Sequence, residues 1–216
     1  VGARVLREAL LGAVGVVAVG IAPQHDRRAG REQLAGGDDF VVLGVSIGAL
    51  PAVAGELIER EPRWRDMVRH VKTVPTQAFQ VWLREDMRSL GWKTAPVNLS
   101  GYVEPFDTWA DMSHLIPEES FTEPVKAVGY FCSVLLDATL DGRPVTGDLQ
   151  QEQKDVVRQN AVRFLNRDVK ALWPLAASDC AFRWETLAAE GDDGAATGEE
   201  RFATQFWTAN IIPTDR

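Results

Sequence analysis

Hydrophobic residues in the first part of the chain form two short apolar runs followed by a helical pattern. Residues 14–21 and 40–45 are rich in Val and Gly, and they predict two buried strands. From Leu50 to Glu61 the apolar side chains recur with helical spacing, and Pro62 predicts the end of that helix. A strand, a Gly-flanked turn and a helix in this order are typical of an α/β sheet.

Beyond residue 62 the pattern changes to short segments that predict a mostly antiparallel sheet. Residues 78–83, 97–103 and 127–136 predict strands, because they combine β-branched and aromatic residues with loose alternation. Residues 104–121 contain prolines and acidic side chains, and they predict an ordered loop or a short helical turn. The chain as a whole therefore predicts an α/β (α+β) fold with a boundary at residue 62.

The clearest single element is a long amphipathic helix over Leu149–Trp173. Apolar residues line one stripe of it, and Pro174 predicts its end. Asp148 and Gln151 have the spacing of a capping box at its start. Residues 190–200 are rich in Gly and acidic side chains and predict a surface loop.

Composition narrows the class of protein. The 216 residues include 23 Lys and Arg against 31 Asp and Glu, a net charge of −8, and such an acidic surface disfavours nucleic-acid binding. The two cysteines are too few and too far apart for a metal site or a disulfide framework, which predicts a cytoplasmic protein.

An apolar run over residues 9–22 raises the question whether the chain spans a membrane. It has the length of a signal-peptide core, yet a bilayer span needs about 20 residues, so we predict no membrane span. The first residue is Val, and the chain stops soon after an apolar segment at 211–213. These two features predict that the chain is truncated at both ends.

Gly44-Val45-Ser46-Ile47-Gly48 matches the G-x-S-x-G motif between a predicted strand and a predicted helix. This context favours a serine hydrolase with Ser46 as nucleophile. Only His70 and His114 follow Ser46, however, and few residues precede it for the earlier strands of such an enzyme. The G-x-G-x-x-G fingerprint of a dinucleotide site is absent from the sequence.

Several longer strings resemble flavin-containing amine-oxidase-like proteins, in a bacterial branch of FAD- or NAD(P)-dependent oxidoreductases. They are DDFVVLGVSIGALPAVAGEL, VPTQAFQVWL, NLSGYVEPFDTWADMSHLIPEES, KAVGYFCSVLL, AVRFLNRDVKALWP and RFATQFWTANIIP, and they lie within residues 38–216. Members of that family open with a G-x-G-x-x-G segment that holds FAD. The resemblance therefore implies the central part of a flavoenzyme, without its N-terminal segment.

The resemblance implies a partial, Rossmann-like FAD-binding portion in residues 1–62 and a substrate domain in residues 63–216, truncated at its C-terminus. FAD is the implied cofactor, and it would accept a hydride from a small hydrophobic substrate, an amine or a hydrocarbon-like molecule. The residues implied near FAD are Val45, Ser46 and Ile47. The aromatic residues implied to line the substrate cavity are Trp82, Tyr102, Trp109 and Tyr130.

Because a flavin accepts the hydride itself, the resemblance implies no dedicated acid–base pair, and the sequence identifies no catalytic residue and no metal ligand. Missing segments would leave aromatic surface exposed, which predicts self-association. Two alternatives stay open: a serine hydrolase that uses Ser46, and a non-catalytic remnant of an enzyme.

Overall fold

The computed structural model describes residues 18–20, 41–43, 45–136, 143–178, 181–189 and 196–211. These residues form a mixture of helices and antiparallel sheet, which confirms the α+β class. Packing divides the chain into two units, Val1–Thr73 and Val74–Thr214. The boundary predicted at residue 62 stays a prediction.

The described residues of the first unit form two strands, a short 3-10 turn and three short helices. They are β1 (Ala18–Gly20), β2 (Val41–Leu43), the turn Ile47–Ala49, α1 (Leu50–Val53), α2 (Gly55–Arg60) and α3 (Pro62–His70). Both strands fall within the predicted runs, whose remaining residues before position 45 lie outside the described ranges. The two strands pair antiparallel, whereas a Rossmann-like portion pairs its strands in parallel, so that portion stays a prediction.

The prediction of one continuous helix over Leu50–Glu61 is wrong, because the structure has two separate helices there. The backbone leaves helical geometry at Ala54, where φ is −132° and ψ is 29°. Helix α2 ends at Arg60, just before Pro62 as predicted, with Glu61 in extended backbone. Pro62 in turn begins α3, at a position where its missing N–H costs no intrahelical hydrogen bond.

In the part of the second unit that the structure describes, the main elements are a five-stranded antiparallel sheet and one long helix. They are β3 (Thr76–Leu83), β4 (Asn98–Leu99), β5 (Thr108–Asp111), β6 (Ala127–Val134), β7 (Phe206–Asn210) and α4 (Gly147–Arg167). The strand order is β4-β5-β6-β3-β7. The predicted antiparallel sheet is thus confirmed, as are the strands predicted over 78–83 and 127–136.

Two of the predictions for this sheet need correction. The strand predicted over 97–103 is reduced to the two residues of β4. The segment 104–121, predicted as an ordered loop or a short helical turn, also contains β5, because Trp109 buries its indole opposite Phe131 of β6. The predicted short helical turn is confirmed as a 3-10 turn over Ser113–Glu118.

Helix α4 confirms the predicted amphipathic stripe but not its predicted cap or length. Thr146 is the N-cap, and its hydroxyl accepts a hydrogen bond from the Leu149 N–H at 3.3 Å. Gln151 does not complete a capping box with Asp148, because its amide bonds the Asp155 carboxylate at 3.0 Å. The α-helix ends at Arg167, short of the predicted end at Trp173.

The C-terminal loop prediction is only partly covered by the structure. Residues 190–195 of the predicted loop lie outside the described residues. A 3-10 segment follows over Gly198–Thr204, and its Phe202 is fully buried and stacks on Trp207 of β7 at 5.4 Å.

The core lies between α4 and one face of the sheet, which we call the helix-packed face and define by Phe79, Trp109 and Phe131. Phe79 and Phe131 are opposite one another in the β3–β6 register, and their rings stack at 4.6 Å. Phe164 of α4 meets Phe131 edge-on at 5.2 Å. All four aromatic residues are fully buried, so this face of the sheet is closed.

Candidate functional site

The segment predicted to lie near FAD joins β2 to α1 in the first unit. Ser46 is exposed, Val45 and Ile47 are half-buried, and the Ser46 carbonyl accepts a hydrogen bond from the Ala49 N–H at 3.0 Å. Ser46 has φ −64° and ψ 152°, which is ordinary extended backbone. A nucleophile elbow requires a sharp, strained turn, so this conformation does not support one.

The second unit has a sheet face opposite α4, which we call the outer face. Side chains alternate across a strand, so the residues between those of the helix-packed face point to this side. Cross-strand pairing aligns Gln80 with Tyr130, Tyr130 with Ala110, and Thr108 with Cys132. The half-buried residues at the centre of the outer face are Gln80, Trp82, Thr108, Ala110, Tyr130 and Cys132.

The structure brings together two of the four aromatic residues predicted to line a substrate cavity. Trp82 and Tyr130 are both on the outer face, at diagonal positions of the β3–β6 pair. Diagonal neighbours lie about 7–8 Å apart, within reach of aromatic side chains. Trp109 is on the opposite, helix-packed face, where it is fully buried against Trp92 at 4.7 Å and Trp173 at 5.9 Å.

Tyr102 lies apart from the outer face. Its ring meets Phe164 at 6.1 Å, and its hydroxyl donates a hydrogen bond to the Asp168 carbonyl near the end of α4. Burial raises the pKa of Tyr102, and the nearby Asp168 charge raises it further. A shallow groove of about 480 Å³ is lined here by Tyr102, Val103, Arg167, Asp168, Lys170, Ala171 and Pro174.

Tyr130 and Cys132 are chemically coupled on the outer face. Burial raises the pKa of Tyr130, and Cys132 raises it further, both by its charge when ionised and through a hydrogen bond between the two side chains. Burial also raises the pKa of Cys132, as does the Asp107 charge, whereas the Tyr130 hydrogen bond acts in the opposite direction. Both groups are therefore neutral near pH 7, and the face offers uncharged hydrogen-bond donors.

One end of the outer face is bordered by the segment that follows β5. Phe121 lies 5.8 Å from the Trp82 ring, and the Ser113 hydroxyl accepts a hydrogen bond from the Val128 N–H at 3.1 Å. The indole N–H of Trp82 is buried without a hydrogen-bond partner in the described part of the chain. His114, which the sequence singled out, is exposed on the same 3-10 turn.

Sequence reasoning missed Gln80, Thr108 and Cys132 as members of this face. Each of the three is the direct neighbour in sequence of a buried aromatic residue, so the alternation of side chains along a strand indicated that it lies on the opposite face. That signal assigns the three residues to one face only after the strand register is known.

The described ranges contain neither a cluster of metal ligands nor a helix that could span a membrane. No group of three or more His, Cys, Asp or Glu side chains in them could hold a metal ion. Each helix in the same ranges is too short or too polar to cross a bilayer. Comparison with protein-family models, with curated proteins and with solved structures finds no match.

Proposed function

We propose that the chain is part of a cytoplasmic FAD-dependent oxidoreductase of the amine-oxidase or desaturase type. The observation that carries this proposal is the two-faced sheet of the second unit. One face is closed by an aromatic core, while the other presents Trp82 and Tyr130 together, half-buried and without a charged neighbour in the strands. Such a face suits a small hydrophobic substrate.

In this proposal the two units have different tasks. Val45, Ser46 and Ile47 would contact FAD in a partial, Rossmann-like portion, and the outer face would orient the substrate. FAD, when bound, supplies the hydride acceptor. Trp82 and Tyr130 hold the substrate by ring contacts and exclude water, and the neutral Tyr130 hydroxyl remains a hydrogen-bond donor at physiological pH.

Titration of the purified chain with FAD tests the cofactor half of this proposal, followed by flavin fluorescence and by the visible absorbance that survives desalting. Ser46→Glu places a carboxylate in the proposed contact segment. We expect it to weaken FAD binding at least about tenfold, because the added charge repels the FAD phosphates.

The matched control is Ser178→Glu, at an exposed serine in the second unit. This variant is expected to bind FAD like the parent chain. If the parent chain does not bind FAD, or if both variants bind it equally well, the assignment of residues 45–47 to a flavin contact is wrong.

A further inference from the structure

The segment between the 3-10 turn after β5 and the start of β6 has little backbone support. It comprises residues 120–125, which we call the strap, and it borders one end of the outer face. Before the strap, the Glu119 N–H donates a hydrogen bond to the Ile116 carbonyl at 3.1 Å. After it, the Lys126 N–H donates to the Leu83 carbonyl at 2.8 Å. Between these anchors, the strap makes no backbone–backbone hydrogen bond with any residue that the structure describes. A segment without such bonds opens locally at a lower free energy than the sheet beside it.

Two side chains hold the strap against the sheet. The Phe121 ring lies 5.8 Å from the Trp82 ring at an interplanar angle of 59°, so the two are neither stacked nor edge-on. Glu123 makes the polar contacts: its Oε2 accepts hydrogen bonds from the Arg84 guanidinium at 2.7 and 2.8 Å, and its Oε1 accepts one from the Ala189 N–H. The side chains of Arg84 and Glu123 are 43% and 21% exposed, so solvent and salt reach this pair. Glu123 therefore has the position of a latch that water can compete for.

The closed strap leaves the Trp82 indole in an unfavourable state. Its N–H is buried without a hydrogen-bond partner among the described residues, and such a group regains hydrogen bonds when it meets water. We propose that the strap opens locally and uncovers the Trp82 indole, with Glu123 as the latch that keeps it closed. The inference rests on the proposed function for what the opening admits, since Trp82 is one of its substrate contacts. The strap is then a gate at one end of the outer face.

Hydrogen–deuterium exchange of single indole N–H groups, followed by proton NMR on the full chain, tests this opening. The indoles of Trp109 and Trp173 are internal references, because their N–H groups are also buried without a partner in the described ranges but lie in the closed core. Single Trp→Phe variants assign the three signals. We expect the Trp82 N–H to exchange at least about tenfold faster than the other two, which exchange only when the core unfolds.

Glu123→Gln removes the charge of the latch with almost no change in side-chain size. It is expected to accelerate exchange at Trp82 at least about fivefold and to leave the two core indoles unchanged, because hydrogen bonds to a charged group are stronger than neutral ones. Sodium chloride at about 0.5 M should act in the same direction by screening the ion pair. Glu185→Gln is the matched control, since Glu185 pairs with Arg183 at 3.3 Å and is exposed. Circular dichroism verifies folding, and Phe121→Ala is the second variant if Glu123→Gln does not fold.

Each other outcome overturns the inference. Exchange at Trp82 as slow as at Trp109 and Trp173 means that the strap does not open by itself. Equal acceleration of all three indoles in Glu123→Gln means that the variant loosens the whole unit, and equal acceleration of Trp82 in Glu185→Gln means that Glu123 is not the latch. The exchange requires neither FAD nor substrate, so a chain that fails to bind FAD leaves the strap untouched, and the two failures are distinguishable.

Discussion

The side-chain amide of Gln205 takes the place of a neighbouring strand for Trp82. Its Oε1 accepts a hydrogen bond from the Trp82 backbone N–H at 2.9 Å, although the residues are 123 positions apart. Its Nε2 donates to the Ala188 carbonyl at 2.7 Å, and the Ala188 N–H donates to the Trp82 carbonyl at 2.8 Å. Gln205 is buried, so this ring of three bonds prolongs the sheet beyond the end of β7 without solvent.

Replacing Gln205 by Leu is expected to destabilise the protein by about 2–6 kcal/mol. The substitution introduces an apolar side chain of similar size and leaves the buried Trp82 N–H and Ala188 carbonyl without this partner, and each costs about 1–3 kcal/mol. Urea unfolding followed by circular dichroism measures the change. Gln159→Leu, at an exposed site on α4, should change the free energy of unfolding by less than about 0.5 kcal/mol. A similar loss in both variants would contradict the bridging role of Gln205.

Gly129→Ala is expected to destabilise the core by about 1–3 kcal/mol through overpacking. A Cβ at Gly129 would lie 2.6 Å from Cη2 of Trp173 and 2.9 Å from its Cζ2. Trp173 is fully buried, and its ring packs against Trp109 at 5.9 Å and Phe131 at 5.3 Å. These contacts hinder the ring from moving away from an added methyl group. Urea unfolding of the variant measures the cost.

The steric origin of that cost is tested by a second substitution. In a Trp173→Phe background, which replaces the two-ring indole by one smaller ring and so removes the outer atoms Cη2 and Cζ2, Gly129→Ala should cost at least about 1 kcal/mol less. Gly55→Ala is the control, because no atom lies within 4 Å of its added Cβ, and it should be neutral or stabilising by up to about 1 kcal/mol. Additive costs for Gly129 and Trp173 would exclude the clash.

Stability is expected to fall with rising pH because of Tyr130 and Cys132. Burial raises their pKa values above the ordinary 10.0 and 9.0, so the folded state holds these protons more tightly than the unfolded state. Their contribution is complete below about pH 8.5 and is lost as the pH rises through the folded pKa values. The free energy of unfolding in urea at about pH 7, 9 and 10 measures this decline.

The double variant Cys132→Ala/Tyr130→Phe should flatten that decline. Tyr102→Phe alone removes the other tyrosine, whose pKa is also raised, and it should leave the part due to Tyr130 and Cys132 intact. A decline as steep in the double variant as in the parent protein would show that the outer face is not its source.

Ser46→Ala is expected to leave labelling by a fluorophosphonate unchanged. The extended backbone at Ser46 gives its hydroxyl no strained presentation, and His70 in the same unit is exposed, with its Nδ1 2.9 Å from the Asp66 carbonyl. Activity-based labelling followed by peptide mass spectrometry measures this. Labelling of Ser46 in the parent chain, lost in the variant, would instead favour the serine hydrolase.

Local patterns were sufficient for the elements whose packing follows from their own sequence. The apolar stripe of α4 predicted that helix, since one face of it is buried throughout. Strand β5 was missed because it is only four residues long and depends on Trp109 packing against Phe131, a contact between distant segments. The cap of α4 was misplaced because Thr146 and Asp148 are both good cap residues, and local spacing does not choose between them.

For the candidate site, the sequence predicted individual residues but not which of them share a face. Aromatic residues at strand positions identified Trp82 and Tyr130, but their common face depends on the β3–β6 register. Trp109 was grouped with them because residue type alone does not distinguish the two faces of a sheet. Gln80 alternates with the buried Phe79, but only its position opposite Tyr130 assigns it to the face.

The sheet order has a consequence for how the chain matures on the ribosome. Strand β3 lies between β6 and the edge strand β7. Strand β7 pairs Phe206 with Gln80 of β3, although the two strands are separated in sequence by most of the second unit. At about 5–20 residues per second, the interval between synthesis of the two strands is roughly 6–25 s. During that time the backbone N–H and C=O groups along one edge of β3 are unpaired and can bond to any other extended segment. Nascent chains of this protein should therefore depend on chaperones until β7 emerges, in contrast to the finished molecule.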